Sequence, residues 1–207
     1  MIEFKEIRLP DNHGVLQFTV PADLFRSVCD KCTNIQSADF DEVKLSANKM
    51  LAGQIEKEIK LHPDIRFRSF LDSMAKTYYE YFEIQSSNFP KLEHCWVNFQ
   101  KKHEYNPVHA HYGSLSFVIW VKIPYNLENE DAIPHSKNAN SKENGRFYIL
   151  YNSSFEGKIS KLRIDLDKSY EGKGIIFPAN ANHLVYPFFT SDEFRISIAG
   201  NFANKPT

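Results

Sequence analysis

The chain has 207 residues, enough for one domain with a full core and short for two. Its 25 Lys and Arg against 26 Asp and Glu leave a formal charge of -1, so no broad cationic field exists for gripping phosphates, which argues against nucleic acid as a partner. A hydrophobic fraction of 42% with 25% charged residues excludes a disordered chain, and no apolar run approaches the ~20 residues of a membrane helix.

The elements divide into a helical first part and a strand-rich second part. A short strand is expected at Val15–Val20, and Pro21-Ala22-Asp23 reads as a helix start with Leu24, Phe25 and Val28 on its apolar face. A second helix is expected between Phe40 and Leu61, because Leu51, Ile55 and Ile59 recur at i, i+4, i+8. A third is expected from Phe67 to Phe82, where Phe70, Leu71, Met74 and Tyr78 keep helical spacing opposite Arg68, Asp72 and Lys76. From about Lys91 the period changes. Strands are expected at Cys95–Gln100, Leu115–Lys122, Arg146–Tyr151, Lys158–Ile164, Gly174–Phe177 and Phe194–Gly200. The Asn-rich stretch from Tyr125 to Gly145 has no periodicity and reads as a mobile loop, either a lid or plain surface. No internal repeat or linker divides the chain. The expected architecture is α+β and mainly β: a single domain with a double-sheet sandwich or jelly roll at 91–207 and packing helices within 1–90.

Three cysteines, an odd number, make a poor disulfide framework, and the first residues lack the apolar centre of a signal peptide. Both point to a reducing, cytoplasmic setting. Cys29-x-x-Cys32 lacks two further zinc ligands and a βαβ context, so it reads as two reduced thiols on a helix.

Five of the eight histidines lie between His94 and His135. His109-x-His111 is the informative pair, because residues two apart on a strand share a face and aim both imidazoles at one point. His94 and His103 flank a strand and read as peripheral. Further on, an apolar strand ends at Phe177-Pro178, a polar turn follows, and His183 opens the next extended stretch. Arg195 and Ser197 again share a strand face. An inward Arg is costly without an acid or an anionic ligand to pair with it. A carboxylate held by the guanidinium fork, with the Ser197 hydroxyl as second donor, is the functional alternative to a salt bridge.

A His-x-His pair before a strand, a distant His after a Phe-Pro turn and Arg-x-Ser a dozen residues later resemble the Fe(II)/2-oxoglutarate-dependent oxygenases. The likeness is strongest to a branch with His-x-His-x-Gly-x-Leu-Ser, found among phage-encoded members. Here that stretch is His109-Ala-His111-Tyr-Gly113-Ser114-Leu115-Ser116, and the resemblance spans about 91–202. It extends more weakly to Leu45–Gly53. The resemblance implies a double-stranded β-helix, a jelly-roll and cupin relative. His109, His111 and His183 would hold Fe(II). Arg195 and Ser197 would hold the distal carboxylate of 2-oxoglutarate, and Asn98 would point toward that cosubstrate. It also implies O2 as co-reactant, with hydroxylation of an unidentified substrate and release of succinate and CO2 as the reaction. His111 stands where the family carries a carboxylate. It either ligates or swings away for water or an anion, and Glu104 is a nearby substitute. Rival readings are a three-histidine cupin-type dioxygenase without 2-oxoglutarate, and a non-catalytic metal-binding jelly roll. The aromatic-rich helices offer a face for a homodimer, and a phage-encoded protein would work in the host cytoplasm.

Overall fold

The computed structural model describes residues 3–7, 14–37, 46–153 and 157–204. Eleven strands among them form two antiparallel sheets. In chain order they are β1 (Phe4–Ile7), β2 (Val15–Thr19), β3 (Lys57–Lys60), β4 (Lys91–Gln100), β5 (Asn106–His109), β6 (Leu115–Lys122), β7 (Phe147–Ser153), β8 (Lys158–Ile164), β9 (Lys173–Pro178), β10 (His183–Val185) and β11 (Arg195–Ala203). The larger sheet has the order β1-β2-β9-β6-β11-β4-β3, and the smaller has β5-β10-β7-β8.

Two helices cover the outer face of the larger sheet: α1 (Ala22–Ser37) and α2 (Ile65–Tyr81). The start of α2 is fixed by Asp64, whose carboxylate accepts the Phe67 N–H at 2.8 Å. Its Phe67, Phe70, Leu71, Met74 and Tyr78 are buried against sheet residues such as Phe18, Val97, Phe99 and Ile198. The other face of that sheet meets the smaller one through Val118, Trp120, Ile175, Phe177, Phe147 and Ile149. Strand β6 therefore sends Leu115, Phe117 and Ile119 to the helices and Val118 and Trp120 to the inter-sheet core. That double burial is why it reads as an unbroken apolar run rather than an alternating one.

The sequence expectation fails between Phe40 and Leu61. Residues 40–45 lie outside the described residues, and the rest is a 3-10 turn at Asn48–Met50, an extended segment and β3. A repeat of four is two strand periods as well as about one helical turn, so Leu51, Ile55 and Ile59 fit either state. The 125–145 stretch is not an irregular loop either. It holds two short helices, α3 (Leu127–Ala132) and α4 (Pro134–Lys137). It is also anchored: Asp131 forms a two-pronged pair with buried Arg146 at 2.7 Å, and Tyr125 donates to the Gly145 carbonyl at 2.6 Å. Among the described residues no helix is long and apolar enough to cross a membrane.

Candidate metal and cosubstrate site

Strand pairing assembles three imidazoles. His109 ends β5 and His183 begins β10, and the two are direct partners across the antiparallel pair. Directly opposed residues share a face, so their rings meet with centroids 4.2 Å apart. His111, two residues on, turns to the same side, and its backbone N–H donates to the Ala179 carbonyl at 2.8 Å. Gly113 then reverses the chain into β6 with φ 108°, a left-handed conformation natural to glycine. One ring nitrogen from each histidine lies within 4.8 Å of the others, and no acid belongs to this cluster among the described residues.

The protonation of this cluster suits a cation. His109 Nδ1 lies 2.7 Å from the Pro107 carbonyl and His183 Nδ1 lies 2.9 Å from the Ala181 carbonyl. A carbonyl only accepts, so these contacts place the protons on Nδ1 and leave each Nε2 with a free lone pair. Burial disfavours the charged forms, holding His109 below its usual value, His111 at about 4 and His183 at about 3. Neutral imidazoles are the form that ligates.

A narrow pocket runs inward from this cluster between the sheets, lined by Trp96, Asn98, Gln100, Arg195 and Ser197 among others. Arg195 is only 3% exposed. Its Nε and Nη2 both donate to Gln100 Oε1, at 3.2 and 2.6 Å. Its Nη1 donates to the Tyr125 hydroxyl at 2.7 Å and to the Gly145 carbonyl at 3.1 Å, and Nη2 also reaches the Tyr186 carbonyl at 3.2 Å. All these acceptors are neutral. They satisfy the donors and leave the charge without a counter-ion among the described residues. On the fork edge one amide oxygen serves two N–H groups, where a carboxylate would offer two oxygens. The Asn98 amide donates to Ser197 Oγ at 3.3 Å, and both side chains face this pocket.

Glu104 is spoken for elsewhere. Its two carboxylate oxygens accept the backbone N–H groups of Glu56 at 2.9 Å and Lys101 at 2.7 Å, away from the histidines. Tyr125 and Gln100, which hold Arg195, carry no local motif, because their roles come from tertiary contact. His94 lies within β4 rather than at a strand end; it is exposed and lines an outer chamber of about 410 Å³ that shares Trp96, His109 and His111 with the inner pocket. Cys29 and Cys32 sit on α1, and burial pushes the Cys32 thiol up to about 12.

Residues 94–201, just over half of the chain, match the family model of the 2OG-Fe(II) oxygenases. The chain belongs to this family. No curated protein matches it. Among solved structures, this oxygenase is similar to a prolyl-4-hydroxylase from Pseudomonas putida, at 14% identity over 94% of each chain and a TM-score of 0.59. It is also similar to a prolyl hydroxylase from Trichoplax adhaerens, solved in complex with a hypoxia inducible factor oxygen degradation domain peptide. That match has 13% identity over 94% of this chain and 84% of the other, with a TM-score of 0.57. A third, OsALKBH1, has 10% identity, covers 98% and 100% of the two chains and reaches a TM-score of 0.55. These likenesses carry the fold: a double-stranded β-helix. Fe(II) and 2-oxoglutarate are the cofactor and cosubstrate of the oxygenase family. The residues present fit both, with three neutral nitrogen donors for a divalent ion and an uncompensated buried guanidinium for a dicarboxylate.

Proposed function

We propose that this oxygenase hydroxylates an organic substrate, consuming 2-oxoglutarate and O2 and releasing succinate and CO2. The observation that carries the reading is Arg195: a buried cation with neutral partners only, in the same pocket as the three histidines. His109, His111 and His183 hold Fe(II). Arg195, with the Ser197 hydroxyl, holds the distal carboxylate, and Asn98 orients the cosubstrate between them. The bound metal and 2-oxo acid supply the oxidation, in which one oxygen atom enters the substrate and the other enters succinate.

The protein's share is placement and charge. The carbonyls of Pro107 and Ala181 hold two imidazoles in fixed tautomers. Three neutral histidines leave the charge of a divalent ion whole, so the site favours a dianionic cosubstrate more than a site with a carboxylate ligand does. Trp96, Phe147 and Phe177 wall the pocket and limit water. Dioxygen uptake and succinate formation test the overall reaction. Anaerobic titration with Fe(II) and 2-oxoglutarate tests the site through the weak visible band of the chelate. Arg195→Ala is expected to weaken 2-oxoglutarate about 10- to 100-fold, the worth of a charge-assisted pair, with metal affinity nearly unchanged. A wild-type protein that binds Fe(II) yet shows no band with 2-oxoglutarate refutes the reading.

A further inference from the structure

Beside the inner pocket lies a row of buried oxygen atoms, from Glu58 and Asn106, which the reaction above does not use, and from Asn98, which it does. Glu58 on β3 is the direct cross-strand partner of Asn98 on β4, which in turn opposes Ser197 on β11. Opposed residues share a face, so the Glu58 carboxyl lies on the face that carries Asn98 and Ser197, at the sheet's β3 edge. Glu58 is 1% exposed and Asn98 is 6% exposed. Glu58 Oε2, Asn98 Oδ1 and Asn106 Oδ1 are all buried without a hydrogen-bond partner. Glu58 and Asn106 converge at Gly53. A Cβ placed on Gly53 would lie 2.6 Å from Glu58 Oε1 and 2.9 Å from Asn106 Oδ1.

Asn98 Oδ1 and Asn106 Oδ1 accept, as does the Glu58 carboxyl once it ionises, and a buried acceptor left unmade is costly. Neither 2-oxoglutarate nor dioxygen can relieve that cost, because neither brings a hydrogen-bond donor. A carboxyl buried this deeply also calls for a positive partner, and the neighbouring charge that acts on it is another acid, Glu104. A cationic N–H group on the primary substrate supplies both the donors and the charge.

We propose that Glu58, with Asn98 and Asn106, forms the subsite for an organic cation bearing N–H groups, an ammonium or a guanidinium, on the substrate to be oxidised. This deepens the hydroxylase reading and rests on it for the word substrate. The outer chamber and the inner pocket share Trp96, His109 and His111, and Asn98 and Asn106 line the inner one. Gly53 supplies the room, because any side chain there would press on the carboxyl.

The test uses fragments on the anaerobic protein carrying Fe(II) and 2-oxoglutarate, read by calorimetry and by perturbation of the chelate band. n-Butylamine and n-butylguanidine carry both charge and N–H donors. Butyltrimethylammonium carries the charge without donors, and 1-butanol a donor without charge. The first two are expected to bind at least about tenfold more tightly than the last two, as for a charge-assisted hydrogen bond. Glu58→Gln, and independently Gly53→Ala, are expected to remove that preference. Equal binding of all four fragments, or a preference that survives in both variants, overturns the subsite. If the wild-type chelate band never forms, the hydroxylase reading fails instead, and calorimetry on the metal-free protein still decides whether the cation binds.

Discussion

Glu58 shows what a single side chain can cost a fold. Its carboxyl is raised from 4.5 to about 7, first by burial and second by the charge of Glu104. The adjacent Lys57 points to the other face of the sheet, over the Phe99 ring. A folded value above the unfolded one means that the folded state holds its proton longer. Stability linked to this group is therefore fully present below about pH 4.5 and is lost as pH rises through about 7. The displacement is worth about 3 kcal/mol. Glu58→Gln has the same shape and does not titrate. Its melting temperature relative to wild type is expected to climb in the variant's favour from pH 5 to pH 7.5 and then level off. A difference independent of pH over that window means that Glu58 ionises freely in the folded protein. No reading of the sequence singles out Glu58, because an acid in a Lys-Glu-Ile-Lys segment looks like solvated surface. Its burial follows from pairing with β4, more than thirty residues away. His109 and His183 were legible from afar because a histidine at a strand end, followed later by Arg-x-Ser, is a chemical pattern that survives without knowledge of the pairing.

At the scale of elements, α3 behaves as a clip. Glu130 is completely buried, and its carboxylate accepts the backbone N–H groups of Phe189 at 2.9 Å and Thr190 at 2.8 Å, plus the Thr190 hydroxyl at 2.5 Å. The segment it holds carries Phe188, which stacks on Tyr125 with ring centroids 4.9 Å apart. Tyr125 in turn touches Arg195. The clip thus reaches the cosubstrate pocket through two aromatic rings. Glu130→Ala leaves buried donors unpaired and is expected to destabilise the protein by about 3 kcal/mol in chemical denaturation. It is also expected to weaken 2-oxoglutarate several-fold under conditions where the variant is fully folded. Lost stability with unchanged cosubstrate affinity means that the clip and the site are independent. The sequence predicts a mobile loop for this stretch because its order comes from one buried acid and from Arg146, whose partners are distant in sequence. Six strands of the second half were legible in type and nearly in extent, β6 because it is apolar over its whole length, whereas β5 and β10, only four and three residues long, were not among the strands expected.

For the whole molecule, the proposed metal site is where the smaller sheet meets the turn that leads into the larger one. His109 and His183 belong to paired strands of the smaller sheet, whereas His111 lies on the way to β6 of the larger. A divalent ion held by all three joins both sheets, and ligand that binds only the folded state raises stability by about 2.7 kcal/mol at a hundredfold excess over its dissociation constant. The cosubstrate should add to this unequally. With no ion, a dianion gains Arg195 alone; with the ion, it gains two positive centres at the two ends of one pocket. The melting temperature is therefore expected to rise with metal alone, to rise little with 2-oxoglutarate alone, and to rise with both by more than the two increments together. The coupling is reciprocal, so 2-oxoglutarate must tighten the metal by the same factor. Replacing His111 by Asp returns one negative charge to the ligand set and removes part of the attraction, so His111→Asp should shrink the excess while keeping the increment from metal. If the two increments are simply additive in the wild-type protein, the anion is not seated against the ion, and the three histidines and Arg195 do not form a single site.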